Sequence, residues 1–367
     1  MQNVVAIACR TASRLLILLG ALNIYFQMVY WLPPNLRRSD HARDMWIYFD
    51  AAQKAVAGRS MYHQASPGYG PTEYPTWYVN PPQLASLITW FHGHPLLFND
   101  FWYPLMVASF WLFAFGLSSL ALGKSTSVRM PLAKRVAAVL AWGGAISLTP
   151  YFYYTMSVGN VEPVLWAMFA MAVNSNKPHR LLAVMSSVKP YAVWPLIVYS
   201  DKFRRSIVVS LTILVAGAVG SAVTVGAWQF RDWVTLVGPS AGQGTFASIN
   251  LSLSMGILRL MRLFGWWHYA HGPLPIGPRL LLAVVGIIGP AIVYVLTYRL
   301  EIKWRMVLVY LSSLLFSPLC WGIYLTNLWV PAALLAELIR RSPKSVLHER
   351  FPIFQMMLLR SRLSHRP

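Results

Sequence analysis

Acidic residues are scarce in this chain. Its 367 residues include 11 Asp and Glu against 31 Lys and Arg, and charged residues make up 11% of the total. Soluble domains carry about 25% charged residues, so the composition excludes an ordinary soluble globular protein. With 56% apolar residues, we expect an all-α, polytopic membrane bundle, because helices satisfy their backbone hydrogen bonds internally in lipid.

Cysteine is also nearly absent. Cys9 and Cys320 lie near opposite ends of the chain, and they predict neither a disulfide framework nor a zinc site. The sequence lacks a Walker loop, a dinucleotide-binding glycine fingerprint and a Gly-x-Ser-x-Gly elbow. His92-Gly93-His94 has no acidic residue at helical spacing, so we expect no metal and no other cofactor.

The basic residues give a net charge of +20 and fall in short clusters between apolar segments. That distribution is typical of membrane topology and does not indicate a nucleic-acid partner. Placing the N-terminus in the cytoplasm puts most Lys and Arg on the cytoplasmic side. We therefore expect a multi-pass protein of the cell (plasma) membrane, in contact with the lipid bilayer, with both termini cytoplasmic.

The apolar segments predict one integrated transmembrane domain over residues 1–367. A first spanning helix at 13–32 ends at Pro33-Pro34, and the whole chain makes about ten crossings. The other apolar segments lie at roughly 101–122, 134–149, 160–174, 180–200, 206–228, 278–298, 304–319 and 321–338. The polar parts are a first outer loop at 33–100 with interfacial helices near 40–57 and 81–92, a second outer loop at 229–277 with an interfacial helix at 251–264, and a cytoplasmic interfacial tail at 340–367.

The apolar segment 180–200 is interrupted at Lys189-Pro190 and has basic residues on both sides. It predicts two half-helices that enter the bundle and return, an arrangement tolerated where it lines a cavity. A lysine in such a segment is costly unless it meets a carboxylate or an anion. Lys189 therefore either pairs with Glu162 or, with Arg259 and Arg262, binds a phosphate.

Three of the eleven acids, Asp40, Asp44 and Asp50, fall within eleven residues of the first outer loop. A helix that begins at Ser39 or Asp40 places Asp44 and Tyr48 on one face and turns Asp50 roughly 120° away. In the simpler interpretation these acids stabilise the helix N-terminus and pair with neighbouring arginines such as Arg43. In the other, Asp44 takes part in chemistry at the membrane surface.

The run Gly159-Asn160-Val161-Glu162-Pro163 predicts the start of another helix on the outer side. Free backbone amides at such a start bind anions well. An ordinary capped turn explains the same residues equally well.

Five stretches of the chain carry a family resemblance when they are taken in order. They are Asp44 followed by Tyr48, Ala51-Ala52, Gly58, Tyr62 and Tyr78-Val79-Asn80-Pro81-Pro82; Gly159-Asn160 with Glu162; Ser187-Val188-Lys189-Pro190; Asn250-Leu251-Ser252-Leu253 with Arg259; and Ser317-Pro318-Leu319-Cys320-Trp321. This set resembles glycosyltransferase family 87, the polyprenyl-phosphate-mannose-dependent mannosyltransferases of the membrane GT-C fold.

The resemblance implies transfer of a sugar from a polyprenyl-phosphate donor to a glycolipid or glycan acceptor on the outer face, with inversion. Asp44 is the implied general base, and Lys189, Arg259 and Arg262 stabilise the departing phosphate without a metal. Mannose is the implied sugar, with arabinofuranose or another pentose as the alternative. The residues expected to bind the sugar or the acceptor are Tyr48, Asp50, Tyr62, Tyr78, Asn80, Asn160, Glu162, Asn250, His268, Trp321 and Tyr324.

One departure from the family pattern keeps other functions open. Members often carry a histidine two residues after the tryptophan, where this chain has Ile323. Tyr324 or His268 is then expected to take over its role. The alternatives are a transporter or flippase of a lipid-linked saccharide, and a non-catalytic subunit with a GT-C-like fold. The sequence predicts no oligomeric state.

Overall fold

All regular structure in the described part of the chain is helical. The computed structural model describes residues 2–31, 43–62, 78, 80–123, 126, 129–150, 152–237, 252–265, 276–317 and 322–341. The predicted helical class is therefore confirmed for these residues. The predicted interfacial tail at 340–367 lies outside them, apart from its first two residues.

The described residues of the first half of the chain form eight α-helices. They are α1 (Gln2–Phe26), α2 (Arg43–Val56), α3 (Pro82–Ile88), α4 (Pro95–Leu122), α5 (Leu132–Ser147), α6 (Phe152–Ser157), α7 (Glu162–Asn174) and α8 (Pro178–Val188). A π-helical turn, Gln27–Trp31, continues α1, and a 3₁₀ turn, Thr89–Phe91, continues α3. The helices predicted near 40–57 and 81–92 are thus present as α2 and α3, and their interfacial position stays a prediction. The first helix begins earlier than predicted, because residues 2–9 contain no proline or glycine to stop it.

Seven more α-helices lie in the described ranges of the second half. They are α9 (Val193–Lys202), α10 (Arg205–Val225), α11 (Trp228–Asp232), α12 (Leu253–Leu263), α13 (Ile276–Leu296), α14 (Ile302–Phe316) and α15 (Trp329–Arg341). A π-helical turn, Trp233–Val237, follows α11, and a 3₁₀ helix, Gly322–Leu328, precedes α15. The helix predicted at 251–264 is present as α12.

Among the residues that the structure describes, four helices are long and apolar enough to span a membrane. The candidate spans are Cys9–Val29, Pro95–Leu122, Arg205–Val225 and Ile276–Leu296. Crossings are also predicted at 134–149 and 160–174. The helices found there, α5 and α7, have 16 and 13 residues. These are shorter than the roughly 20 residues that a bilayer requires. The ten-crossing GT-C arrangement therefore stays a prediction.

The interruption at Lys189-Pro190 separates two short antiparallel helices, as predicted. Helix α8 ends at Val188, Pro190–Ala192 form a 3₁₀ turn, and α9 follows. The ring of His179, at the start of α8, stacks on the ring of Tyr199 near the end of α9 at 5.5 Å. The ends of the two helices that lie away from the break therefore meet, and Lys189 lies at the tip of this helical hairpin. Lys189 itself is extended, with φ −137°, as sterics favour before a proline.

Close helix packing holds the bundle around this hairpin. Helix α4 packs along α7, where the buried rings of Phe113 and Trp166 lie 6.0 Å apart. Helix α1 packs along α5 at Gly20 and Gly144. A β-carbon at Gly144 would lie 2.1 Å from the carbonyl oxygen of Leu16. Small residues at such positions let two helix backbones touch, which is how packing stabilises helices in lipid.

Candidate active site

The turn between α6 and α7 anchors the N-terminus of α2. The backbone carbonyl of Val158 accepts hydrogen bonds from the amides of Asp44 at 2.8 Å and Met45 at 3.3 Å. Trp102 of α4 donates its indole N–H to the carbonyl of Gly159 at 2.9 Å. The two bonds to Val158 satisfy two of the free amides at the start of α2. Together the three bonds join three separate segments of the chain around Asp44.

Glycine is required at position 159 for two reasons. Its φ is +71°, in the left-handed region, and a β-carbon there would lie 2.7 Å from the β-carbon of Met45. A side chain would strain the backbone and also push α2 away from the turn. The sequence motif therefore includes a point of close contact between α2 and the turn before α7.

The carboxylate of Asp44 is held from two sides. Asn160 Nδ2 donates to Asp44 Oδ2 at 2.7 Å, and Arg43 Nε donates to Asp44 Oδ1 at 3.0 Å. Arg43 in turn donates from Nη2 to the hydroxyl of Tyr154 at 3.0 Å. The Asp44 side chain keeps 16% of its surface exposed. The expected pairing of Asp44 with Arg43 is present, and the carboxylate stays accessible beside it.

Asn160 also closes the start of α7. Its Oδ1 accepts the backbone N–H of Glu162 at 3.0 Å. This is the capped turn that the sequence offers as one of two interpretations of Gly159–Pro163. The same bond removes one of the amides that the anion-binding interpretation needed.

Glu162 and Lys189 form a buried pair at the hairpin tip. Lys189 Nζ lies 3.9 Å from Glu162 Oε1, and the Glu162 side chain is fully buried. Tyr191 donates its hydroxyl to the same oxygen at 2.9 Å. Both charged groups lie outside the four candidate spans. Burial raises the pKa of the Glu162 carboxyl, although Lys189 and Tyr191 lower it. The ion-pair interpretation of Lys189 is therefore confirmed, and its phosphate-binding role stays a prediction.

The Tyr48 hydroxyl is influenced by the charges of both Asp44 and Glu162. Tyr48 lies one turn after Asp44 on α2, as the predicted helix face requires, and it is buried. Burial raises the pKa of the Tyr48 hydroxyl well above its ordinary value, and the charges of Asp44 and Glu162 raise it further. Burial lowers the pKa of the Lys189 ammonium, although Glu162 and then Asp44 raise it. Asp44, Tyr48, Glu162 and Lys189 thus influence one another electrostatically and are called the Asp44 cluster below.

Two other predicted aromatic residues, Tyr78 and Tyr62, pack next to Tyr48. The ring of Tyr78 lies 6.2 Å from that of Tyr48 and 5.6 Å from that of Tyr62. Tyr78 donates its hydroxyl to the carbonyl of Pro81, and Tyr62 donates to the carbonyl of Asn80. These groups are buried and their hydroxyls are occupied, so they act as packing support for Tyr48. Direct sugar contact by Tyr62, Tyr78 or Asn80 stays a prediction.

Asp50 does not face the Asp44 cluster. Its carboxylate lies 2.8 Å from Lys54 Nζ, and both side chains are buried. The predicted turn of Asp50 away from Asp44 explains this placement. The geometry gives Asp50 a structural pairing, and the expected contact with sugar or acceptor has no support from it.

The sequence did not predict Tyr191, which lies beside Tyr324; the expected contact of Tyr324 with sugar or acceptor stays a prediction. The ring of Tyr324 lies 5.7 Å from that of Tyr191, which binds Glu162. Tyr310, on α14, also faces Tyr191 at 5.8 Å. The signal for Tyr191 was its place directly after Lys189-Pro190, since a residue at a helix break can reach the same cluster as its neighbours.

The remaining predicted site residues lie on α12 or outside the described residues. Arg259 lies on α12, which packs against α13 and α14. The side chain of Arg262 lies outside the described residues, as do Asn250, His268 and Trp321. Their roles stay predictions.

The cluster combines an accessible carboxylate, able to accept a proton, with an ammonium group in a largely buried setting. Within the described ranges, no group of three or more His, Cys, Asp or Glu side chains is arranged to hold a metal ion. No protein-family model matches the chain, and neither curated proteins nor solved structures give a match.

Proposed function

We propose that this protein is an integral membrane glycosyltransferase that moves a sugar from a polyprenyl-phosphate donor to a glycolipid or glycan acceptor. The proposal depends chiefly on the Asp44 carboxylate. It is oriented by Asn160 and Arg43 and yet remains 16% exposed. A carboxylate that is held in place by hydrogen bonds and is also accessible can take a proton from an approaching hydroxyl.

In the proposed reaction Asp44 is the general base. The acceptor hydroxyl oxygen attacks the anomeric carbon of the donor sugar while its proton passes to Asp44. The bond between that carbon and the phosphate oxygen breaks, and its electron pair leaves with the polyprenyl phosphate. Attack from the face opposite the leaving group inverts the anomeric configuration.

Lys189 supports the proposal through the length of its ion pair. At 3.9 Å from Glu162 Oε1, the ammonium is attracted to the carboxylate but lies beyond hydrogen-bond distance. Its N–H donors therefore suit a phosphate that approaches the hairpin tip. Such a contact would stabilise the negative charge that develops on the leaving group.

The test of Asp44 is transfer of labelled mannose from a polyprenyl-phosphate donor by purified protein in detergent. Asp44→Asn should insert normally and lose turnover by roughly 10²–10⁴-fold, because the amide cannot accept the proton. Asp232→Asn is a matched control, since Asp232 is also 16% exposed and adjoins an arginine, Arg231. More than a tenth of wild-type turnover in Asp44→Asn would argue against the base role.

The test of Lys189 separates donor binding from folding. Lys189→Ala should raise the KM for the donor, because the phosphate loses its cation. The double variant Lys189→Ala with Glu162→Gln removes both buried charges and so avoids leaving Glu162 unpaired. Unchanged donor affinity in a folded double variant would assign Lys189 a structural role.

The rival functions give different results with the wild-type protein. A flippase in proteoliposomes would move a lipid-linked saccharide between leaflets without forming a glycosylated product. A non-catalytic subunit would do neither, and Asp44→Asn would then be indistinguishable from wild type. Either outcome contradicts the proposed function.

A further inference from the structure

The base of the helical hairpin, at the end opposite Lys189, carries exposed basic side chains. They belong to the start of α8 and to the join between α9 and α10. We call this set the basic patch, and its members are Lys177, Arg180, Lys202, Arg204 and Arg205. Helix α8 has 11 residues, so the patch lies about 16 Å along the hairpin from its tip.

Aromatic contacts bring the two stretches of the patch together. Tyr199, near the end of α9, donates its hydroxyl to the backbone carbonyl of Asn176 at 3.0 Å. Its ring lies between the ring of His179, at 5.5 Å, and that of Phe203, at 4.7 Å. The basic residues that flank these contacts in sequence therefore share one end of the bundle.

The charges of the patch are not balanced by nearby acids. Within the described ranges, none of the five basic side chains forms a salt bridge. The adjacent carboxylate of Asp201 instead pairs at 3.4 Å with Arg305 of α14, whose guanidinium lies over the ring of Tyr294. Glu301, exposed at the start of α14, is itself flanked by Arg299 and Lys303. The patch therefore keeps a strong positive potential that favours an anionic partner.

Helix α10 sets the depth of the patch in a membrane. It is a candidate span, Arg205–Val225, of 21 residues. That length is about 31 Å, which matches a hydrocarbon layer of about 30 Å. Val208 and Val223, near its two ends, are 69% and 82% exposed, as side chains in contact with lipid are. Arg205 begins the helix and so lies where hydrocarbon ends and lipid headgroups begin.

We propose that the basic patch binds the headgroups of anionic phospholipids at this boundary. Their phosphodiester oxygens accept charge-assisted hydrogen bonds from arginine and lysine. Clusters of about four to eight basic residues directly beside a membrane helix attract such lipids. Phe203, 43% exposed between Lys202 and Arg204, adds an apolar contact at the same depth.

The depth of the patch favours lipid over a nucleic acid or an acidic peptide. Those partners approach from water, whereas α10 places Arg205 at the level of the phosphodiesters. The lipid contact goes beyond the proposed sugar transfer and does not depend on it.

The experiment is native mass spectrometry of the purified full-length protein in detergent, titrated with dioleoylphosphatidylglycerol or dioleoylphosphatidylcholine. The wild-type protein should retain phosphatidylglycerol at least tenfold better. Arg204→Gln combined with Arg205→Gln should weaken that retention at least tenfold, because each basic residue beside the membrane contributes roughly a factor of five. Arg59→Gln combined with Lys134→Gln is the matched control, since it removes two exposed charges elsewhere and should change retention less than twofold.

Other outcomes would overturn the proposal. Equal retention of phosphatidylcholine, or unchanged retention in the Arg204 and Arg205 variant, contradicts the headgroup contact. Competition by inorganic phosphate as strong as that by phosphatidylglycerol excludes the lipid as the ligand, and equal competition by a polyglutamate peptide assigns the patch to an acidic protein.

The wild-type protein decides the matter if the double variant inserts poorly. Raising ammonium acetate from about 50 mM to about 500 mM should reduce retention of phosphatidylglycerol at least tenfold, because salt screens exposed charges. Retention that does not depend on salt contradicts the proposal.

Discussion

Gly159→Ala offers a sharp test of how the Asp44 cluster is built. The alanine side chain meets two separate penalties at this position. The left-handed backbone, with φ +71°, costs a non-glycine residue roughly 1–2 kcal/mol. The new β-carbon would lie 2.7 Å from that of Met45, and overpacking of this kind costs typically about 1–3 kcal/mol. The free energy of unfolding should therefore fall by about 2–5 kcal/mol.

Gly58→Ala provides the matched control for this prediction. Gly58 also has a left-handed backbone, with φ +67°, and a β-carbon added there would have no neighbouring atom within 4 Å. It should lose only the backbone part, about 1–2 kcal/mol. Both variants are measured by SDS titration of the protein in mixed micelles, followed by tryptophan fluorescence. If Gly159→Ala is no more destabilising than Gly58→Ala, the close approach of Met45 to the turn is wrong.

Two further changes test the packing around the site. Asp50→Ala removes the carboxylate that lies beside the buried Lys54 ammonium and should cost about 3–5 kcal/mol in the same unfolding titration; a loss below about 0.5 kcal/mol, the size typical of surface changes, would contradict the buried pair. Gly144→Ala should destabilise the contact of α5 with the Leu16 carbonyl, whereas Gly220→Ala, which meets no neighbour within 4 Å, should stabilise α10 by roughly 0.5–1 kcal/mol. Equal effects at the two glycines would refute close packing between α1 and α5.

The features that the sequence predicts well depend on local chemistry. Pro190 has no backbone N–H, and its ring restricts Lys189 to extended geometry, so the hairpin break follows from two adjacent residues. The face shared by Asp44 and Tyr48 follows from helical periodicity alone. The pairing of Glu162 with Lys189 was predictable because an isolated buried lysine needs a carboxylate.

The features that the sequence does not predict depend on distant segments. Asn160 and Asp44 are 116 residues apart, and no spacing rule brings their side chains together. Tyr191 binds Glu162 across 29 residues and through a change of helix direction. The number of crossings does not follow from the sequence for a related reason. A hydropathy pattern describes α5 or α7 in the same way whether a short apolar helix spans lipid or packs inside the bundle.

The amide of Asn160 has a consequence for which residues can replace it. Its nitrogen side points to the Asp44 carboxylate at 2.7 Å, and its oxygen side points to the N–H of Glu162. An aspartate at position 160 has the same shape, but its carboxylate would lie against that of Asp44 and the two negative charges would repel each other. Leucine would fill the space but could form neither hydrogen bond. A residue that replaces Asn160 must therefore donate a hydrogen bond toward Asp44 and accept one from Glu162, and matching the size of asparagine is not sufficient.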